Sequence, residues 1–265
     1  MELSGSSVLI TGASGGLGQA IARSVAKKGA KVILSARRVE ILEQLAHELG
    51  GEVLQADLED PKAPLKMAEA AGDVDVVVAN AGLPASDPFE FYSEEDIERI
   101  MRVNLLAPTQ MARVFLPKMV EKGKGHFVFV SSLSGKAATP GSSLYSATKF
   151  GLRGLSHGIR ADIASSGVGV SVVCPGFIRD AGMFADAKIE LPKGVGTKTP
   201  QDVGKAVVRV IEHNIAEIDV APITLSIGSM IASIAPEFAR KINKLIGADE
   251  MARNLSEGQA KARSK

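Results

Sequence analysis

Short runs of β-branched and other apolar residues alternate along this chain with longer stretches whose apolar positions recur at helical spacing. The short runs at 8–11, 31–35, 52–55, 75–79, 126–130 and 169–173 predict strands. Several of them, including 74–79, are largely continuous apolar runs, which suits a parallel sheet covered on both faces. The stretches 18–28, 39–49, 61–70, 94–122 and 143–166 predict helices. Repetition of the βαβ rhythm predicts an α/β fold, a doubly wound parallel sheet of Rossmann type with helices on both faces. Pro108 and Pro117 fall inside 94–122 and predict a kink or break there.

No Pro/Gly/Ser linker divides the 265 residues into halves of different composition. One domain over 1–247 is expected, with a lid-like insertion at about 182–199 and a polar tail over 248–265. The segment 220–236 carries no charge, but it is short for a membrane span and contains Pro222. It reads as a last strand followed by a packed or subunit-interface helix, in preference to membrane-surface contact.

Charge removes other classes. Lys and Arg number 31 against 30 Asp and Glu, so no global field favours nucleic acid, and aromatic residues are only 4% of the chain. A lone cysteine, Cys174, supports neither a disulfide framework nor a structural zinc site. His47, His126, His157 and His213 are scattered without ligand spacing, so no metal is expected. The N-terminus lacks the pattern of a signal peptide, which points to a soluble, cytoplasmic protein.

The first predicted strand runs straight into TGASGGLG, residues 11–18, and then into a helix. Gly12, Gly16 and Gly18 permit a sharp turn, close approach of a pyrophosphate to bare backbone, and tight packing of helix on strand. Ser14 and Leu17 in the same loop join the candidate cofactor contacts. A purely conformational role for the glycines is the alternative. At the end of the second strand, where NAD sites usually have an acid, the chain reads SARR, with Ala36 followed by Arg37 and Arg38. Guanidinium groups suit a 2′-phosphate, so NADP(H) is the preferred cofactor and NAD(H) the alternative. Asp57, next to Leu58, can accept from an adenine amino group or cap a helix.

Tyr145 and Lys149 are four residues apart, and so share one helix face. A nearby ammonium favours phenolate and should draw the tyrosine pKa down toward neutrality. Ser132 lies just upstream, at the end of a predicted strand, where ligands bind in open α/β sheets.

These residues resemble the short-chain dehydrogenase/reductase family. The resemblance runs from about residue 6 to 220, through TGASGGLG, ANAG at 79–82, Asn104 in MRVN, Ser132, YSATK at 145–149 and PG at 175–176. It implies that Tyr145 is general acid or base, that Lys149 tunes it and holds the nicotinamide ribose, and that Ser132 binds the substrate oxygen. It further implies that Asn104 interrupts its helix and supports a proton relay, and that Asn80, Ala81 and Gly82 line the adenine-ribose side. Pro175, Gly176 and Ile178 would meet the nicotinamide end. A homodimer or homotetramer through the two long helices is also implied.

One position departs from the pattern: Asp180 stands where the family usually has a threonine that helps hold the cofactor. It must either turn away, pairing with Arg179, or lie on a rerouted loop. Met183, Phe184, Ile189 and Leu191 could wall a small-molecule substrate of apolar, lipid-like or steroid-like type, or could merely pack a lid onto the body. The leading expectation is therefore a carbonyl reductase or alcohol dehydrogenase. A non-catalytic dinucleotide-binding protein of the same fold, and an isomerase or dehydratase using the same tyrosine, are the competitors.

Overall fold

Runs of valine and isoleucine that are apolar on both pleat faces need cover on both sides, and a parallel sheet between two helix layers provides it. The computed structural model describes residues 1–187, 195–237 and the separate positions 254, 257 and 258. Its strands are β1 (Ser7–Thr11), β2 (Lys31–Ala36), β3 (Glu52–Gln55), β4 (Val76–Ala79), β5 (Gly125–Val130), β6 (Val168–Pro175) and β7 (Glu217–Val220). All pair in parallel, in the order β3-β2-β1-β4-β5-β6-β7. The helices are α1 (Gly16–Ala26), α2 (Val39–Leu49), α3 (Ala63–Ala70), α4 (Glu94–Met101), α5 (Ala107–Lys122), α6 (Ser143–Asp162), α7 (Met183–Ala187), α8 (Pro200–His213) and α9 (Ile223–Ile234).

Alternation along each strand builds two cores. Val8, Ile10, Val76, Val78, Val128 and Val130 pack with residues of α1, α2 and α8 on one face. Leu9, Val77, Ala79, Phe127 and Phe129 pack with residues of α3, α5 and α6 on the other. The chain leaves β3 at one edge and re-enters as β4 beside β1, so the strand order reverses between β1 and β4. A crevice opens outside their carboxyl ends.

Two elements depart from expectation. Helix α8 was not anticipated, although Thr199 and Asp202 form a capping box at its start, Pro200 opens its first turn, and Val203, Val207, Val210 and Ile211 are buried at helical spacing. The last strand precedes most of the uncharged 220–236 segment, because Glu217–Val220 pairs with Val172–Pro175 of β6. The 94–122 helix divides at Arg102–Leu106, a π-helical segment closed by a bond from the Ala107 amide to the Arg102 carbonyl. Pro108 explains the division, because it supplies no amide and its ring crowds the carbonyl four residues back. Pro117 is accommodated inside α5 without ending it.

Near the β7 edge, one carboxylate gathers two cations and an imidazole. Glu217 pairs with Lys136 at 2.5 Å, Arg153 at 2.6 Å and His157 at 2.8 Å, and Lys136 also reaches Asp219 at 2.6 Å. This ties β7 to α6 and to the segment that follows β5. Although removal from water opposes ionisation, the hydrogen bonds from Arg153, Lys136 and His157 prevail and hold the Glu217 carboxyl down to about 2. A second histidine, His126, is structural: it is buried, bonded to Ser171 at 2.8 Å, and kept neutral by burial, which pushes it down to about 3.

Because the Glu217 pKa is depressed in the folded state, its stabilisation is complete above the unfolded carboxylate value and is lost as pH falls through the range from about 4.5 toward about 2. Glu217→Gln is expected to lower stability by about 2 kcal/mol at neutral pH, between the surface and fully buried cases. Denaturant titrations of wild type and variant should converge as pH falls through that window. Parallel curves at every pH would refute the ionic role.

Candidate active site

The site assembles at the carboxyl ends of β1, β4, β5 and β6, where the strand-to-helix turns meet. Thr11, the last residue of β1, stitches β1 to β4. Its Oγ1 accepts from the Asn80 and Ala81 amides at 3.1 and 3.2 Å, while Asn80 Nδ2 donates to the Thr11 carbonyl at 2.9 Å. Gly12 has φ of +66°, and a side chain there would come within 2.8 Å of Ala81 Cα. The ANAG segment is thereby fixed directly beside the glycine loop.

The loop leads into α1 with Gly15 as N-cap, no side-chain capping bond and no acid in the first turn. Helices α4 and α8, by contrast, are capped by the side chains of Ser93 and Thr199. The start of α1 thus has glycine backbone and no protein anion, which fits the pyrophosphate of a dinucleotide. Gly16 and Gly18 serve packing as well. A Cβ on Gly18 would overlap the Gly12 carbonyl, and one on Gly16 would overlap Ala181 Cβ. Leu17 abuts Gly182, so the segment after β6 rests on the loop.

The two arginines after β2 separate. Arg37 is paired with Glu59 at 3.1 Å, whereas Arg38 Nη2 donates to the Ser14 carbonyl at 3.1 Å and to its hydroxyl at 3.4 Å. Arg38 therefore lies against the glycine loop. Asp57 is exposed and accepts from the Glu59 amide at 3.0 Å in a turn well before the Lys62 N-cap of α3, and Leu58 is buried in the core.

Helix α6 brings Tyr145 and Lys149 to the end of β5. The Lys149 ammonium is buried, donates to the Val130 carbonyl at 3.0 Å, and stands 5.4 Å from the centre of the Tyr145 ring. Ser131 is occupied elsewhere, donating to the Lys149 carbonyl at 2.9 Å. Ser132 faces the site, and its Oγ accepts from the Ser134 amide at 3.1 Å. Its hydroxyl also lies close enough to the Tyr145 phenol to draw that group's pKa down.

The electrostatics differ from the sequence expectation. Protein surrounds the Tyr145 phenol although its ring keeps some accessible surface, and burial pushes its pKa up to about 12 despite the opposing Ser132 hydrogen bond. Desolvation outweighs the expected pull toward phenolate. Burial acts on Lys149 as well, lowering it to about 8, so the ammonium survives at neutral pH but with little margin.

Asn104 sits in the π-helical segment, fully buried. Its Oδ1 accepts from the Leu83 amide at 2.6 Å and its Nδ2 donates to the Leu83 carbonyl at 2.9 Å. A Cβ on Gly82 would lie 3.5 Å from Asn104 Oδ1, 3.7 Å from Lys149 Nζ and 3.8 Å from Met183 Cε. Asn104, Gly82, Lys149 and Met183 therefore converge on one small volume.

At the end of β6, Gly176 packs between Ala221 and Leu133, and Ile178 buries its side chain, leaving only its backbone for a ligand. Asp180 turns outward with φ of +72°, and its carboxylate is 3.6 Å from Arg179 Nε, so it does not oppose a phosphate. Phe184 meets Phe177 in a tilted contact with ring centres 5.1 Å apart, while Met183 reaches the site. Ile189 and Leu191 lie outside the described residues, as does most of 248–265. Sequence reasoning missed Thr11, Val130 and Ala181 as site supports. Two of these act through backbone or a methyl group, for which no motif exists.

Residues 6–191 match the family model for short chain dehydrogenase. The ketoacyl reductase HetN of Nostoc is 34% identical over 273 residues, covering 98% of this chain and 95% of that protein. A short-chain dehydrogenase from Sphingobium yanoikuyae, solved in complex with NADPH, superposes with a TM-score of 0.74 at 31% identity, covering 81% of this chain and 87% of that one. The crystal structure of a putative β-ketoacyl-ACP reductase superposes with a TM-score of 0.76 at 27% identity, covering 83% and 98%. A family match over residues 6–191, joined to a relative alike over nearly its whole length, makes this chain a member of the short-chain dehydrogenase/reductase family of oxidoreductases.

Proposed function

We propose that the protein is an NADP(H)-dependent reductase of an apolar ketone, with Tyr145 as proton donor, Ser132 as ligand of the carbonyl oxygen, Lys149 as the charge beside them and Asn104 as the residue that holds the relay in place. The observation that carries this reading is the convergence of Ser132, Tyr145 and buried Lys149 at the carboxyl end of β5. When bound, a nicotinamide dinucleotide supplies the hydride. A phenol held at about 12 remains protonated at neutral pH, the state required to give a proton to a carbonyl oxygen as it gains negative charge. Reduction is accordingly favoured over alcohol oxidation as the working direction.

Arg38 is the first candidate for the 2′-phosphate, because it lies against Ser14 while Arg37 is engaged with Glu59. The NADPH and NADP+ complexes among similar structures support that choice. Met183 at the site and the uncharged rim at Leu133 and Ala221 suit an apolar ketone. A ketoacyl group is one such substrate, as the name of the Nostoc relative suggests. The apolar groove bounded by Met101, Leu105, Leu106 and Leu155, on α4, the π-helical segment after it and α6, is where we place the contact with a second copy.

Tyr145→Phe is expected to lower kcat for reduction by about 10²–10⁴-fold while leaving NADPH affinity nearly unchanged. Turnover assayed by nicotinamide absorbance with a ketone panel, beside equilibrium binding, tests this. Equal binding with no turnover by either protein would favour the non-catalytic reading, and a product without net redox change would favour an isomerase or dehydratase. Arg38→Ala should weaken NADPH by about tenfold or more and NADH little. A loss confined to Arg37→Ala would move the phosphate site. Reductive kcat should fall as pH rises past about 8, where Lys149 loses its proton. A rate still flat well above that pH would remove the lysine charge from the mechanism.

A further inference from the structure

Ser132 stands at the head of a tight turn. Its carbonyl accepts from the Gly135 amide at 2.9 Å, and the Leu133 carbonyl accepts from the Lys136 and Ala137 amides at 2.9 and 3.0 Å. The Ser134 amide donates to Ser132 Oγ at 3.1 Å and so occupies one lone pair of the hydroxyl, leaving its proton for the crevice. The direction of the Ser132 hydroxyl therefore depends on the turn staying closed.

Two elements hold that turn between them. On one side Gly135 lies so close to α6 that a side chain there would come within 2.6 Å of the Lys149 carbonyl oxygen and 2.7 Å of Ser131 Oγ. On the other the Lys136 side chain, only 11% exposed, reaches β7, where its ammonium meets Glu217 at 2.5 Å and Asp219 at 2.6 Å. Residues 217 and 219 fall on the same face of the strand, so one lysine engages both. Burial opposes the charge, but the hydrogen bonds to Asp219 and Glu217 prevail and hold the Lys136 pKa above its ordinary value. A lysine at the surface gains little from a carboxylate and keeps its freedom, whereas an ammonium withdrawn from water onto two carboxylates is held in one place. The Lys136 carbonyl is held as well, accepting from Ser233 Oγ at 2.6 Å.

We propose that Lys136 is a positioning residue for Ser132: by clasping Glu217 and Asp219 it holds the turn closed and keeps the Ser132 hydroxyl aimed at the substrate oxygen. Lys136 acts only through the turn. The inference rests on the assignment of Ser132 to the carbonyl oxygen under the proposed function, and it adds the carboxylates of β7 to the groups on which that contact depends. Glu217 then serves two neighbours, steadying α6 through Arg153 and His157 and the Ser132 turn through Lys136.

Amide hydrogen exchange on the full chain, read without any turnover, tests the clasp. Lys136→Met keeps the apolar stem and removes the charge, and the Ser134 and Gly135 amides are expected to exchange at least about tenfold faster in it while α2 is unchanged. Wild-type exchange at both amides would overturn the proposal. A double-mutant cycle on ketone reduction tests the transmission. Lys136→Met should lower kcat by about tenfold or more with NADPH affinity unchanged. In a Ser132→Ala background, where no hydroxyl is left to place, the same substitution should cost no more than about twofold. An equal loss in both backgrounds would make Lys136 a merely structural residue and overturn the proposal, with the Ser132 assignment left standing. Full activity of Ser132→Ala by itself would remove Ser132 from the chemistry, and this inference with it. Should Lys136→Met fail to fold, Asp219→Asn, at the other end of the clasp, carries the same two measurements with the same outcomes deciding.

Discussion

An ammonium kept inside the protein on a single backbone carbonyl is the interaction on which the site depends. Lys149 has lost most of its water and has the Val130 oxygen in exchange, so its position along α6 is tied to the last residue of β5. The carbonyl of the same lysine is held by Ser131, the next residue beyond that strand. Helix and strand are joined at both ends of one residue. Ser132 and Tyr145 inherit their relative placement from that joint, two residues past the strand and one helical turn before the lysine. The low-dielectric surroundings that make the ammonium expensive also keep the tyrosine protonated. One burial thus sets both charge states.

A second joint controls the nucleotide side. Thr11 binds two successive amides beyond β4, and Gly12 approaches Ala81 so closely that no side chain would fit between them. The reversal of strand order opens the crevice, but these bonds set its width. Across it, Ala181 and Gly182 lean on Gly16 and Leu17. The segment after β6 and the glycine loop thus share a contact.

Much of this was legible in the sequence because it rests on local rules. Largely apolar strands, glycines at a first βα turn and a tyrosine four residues from a lysine each carry a local physical meaning, and the observed sheet and convergence agree with them. The missed helix α8 was legible too, in the Thr199–Asp202 capping box and the buried valines after it. The tyrosine pKa was not. Proximity of a lysine can be read from spacing, but the burial that outweighs it depends on everything packed around the phenol. The choice between Arg37 and Arg38 was equally hidden, since it rests on Glu59 and Ser14 in two other turns. Asp180 was legible as an exception, and only the positive φ shows how the chain removes its charge from the crevice.

Asn104 is a poor choice for the interior of a helix by propensity, yet it occupies one, fully buried. Its amide bonds both the N–H and the C=O of Leu83, the pair of contacts that a neighbouring strand would otherwise supply. A single side chain here substitutes for a missing ladder partner. The requirement is narrow. Aspartate has the same shape but cannot donate to the carbonyl, leucine can do neither, and glutamine carries the same groups one methylene too far. The loop beyond β4 is therefore spelled by a residue in another helix, and the chemical alphabet offers one letter for it.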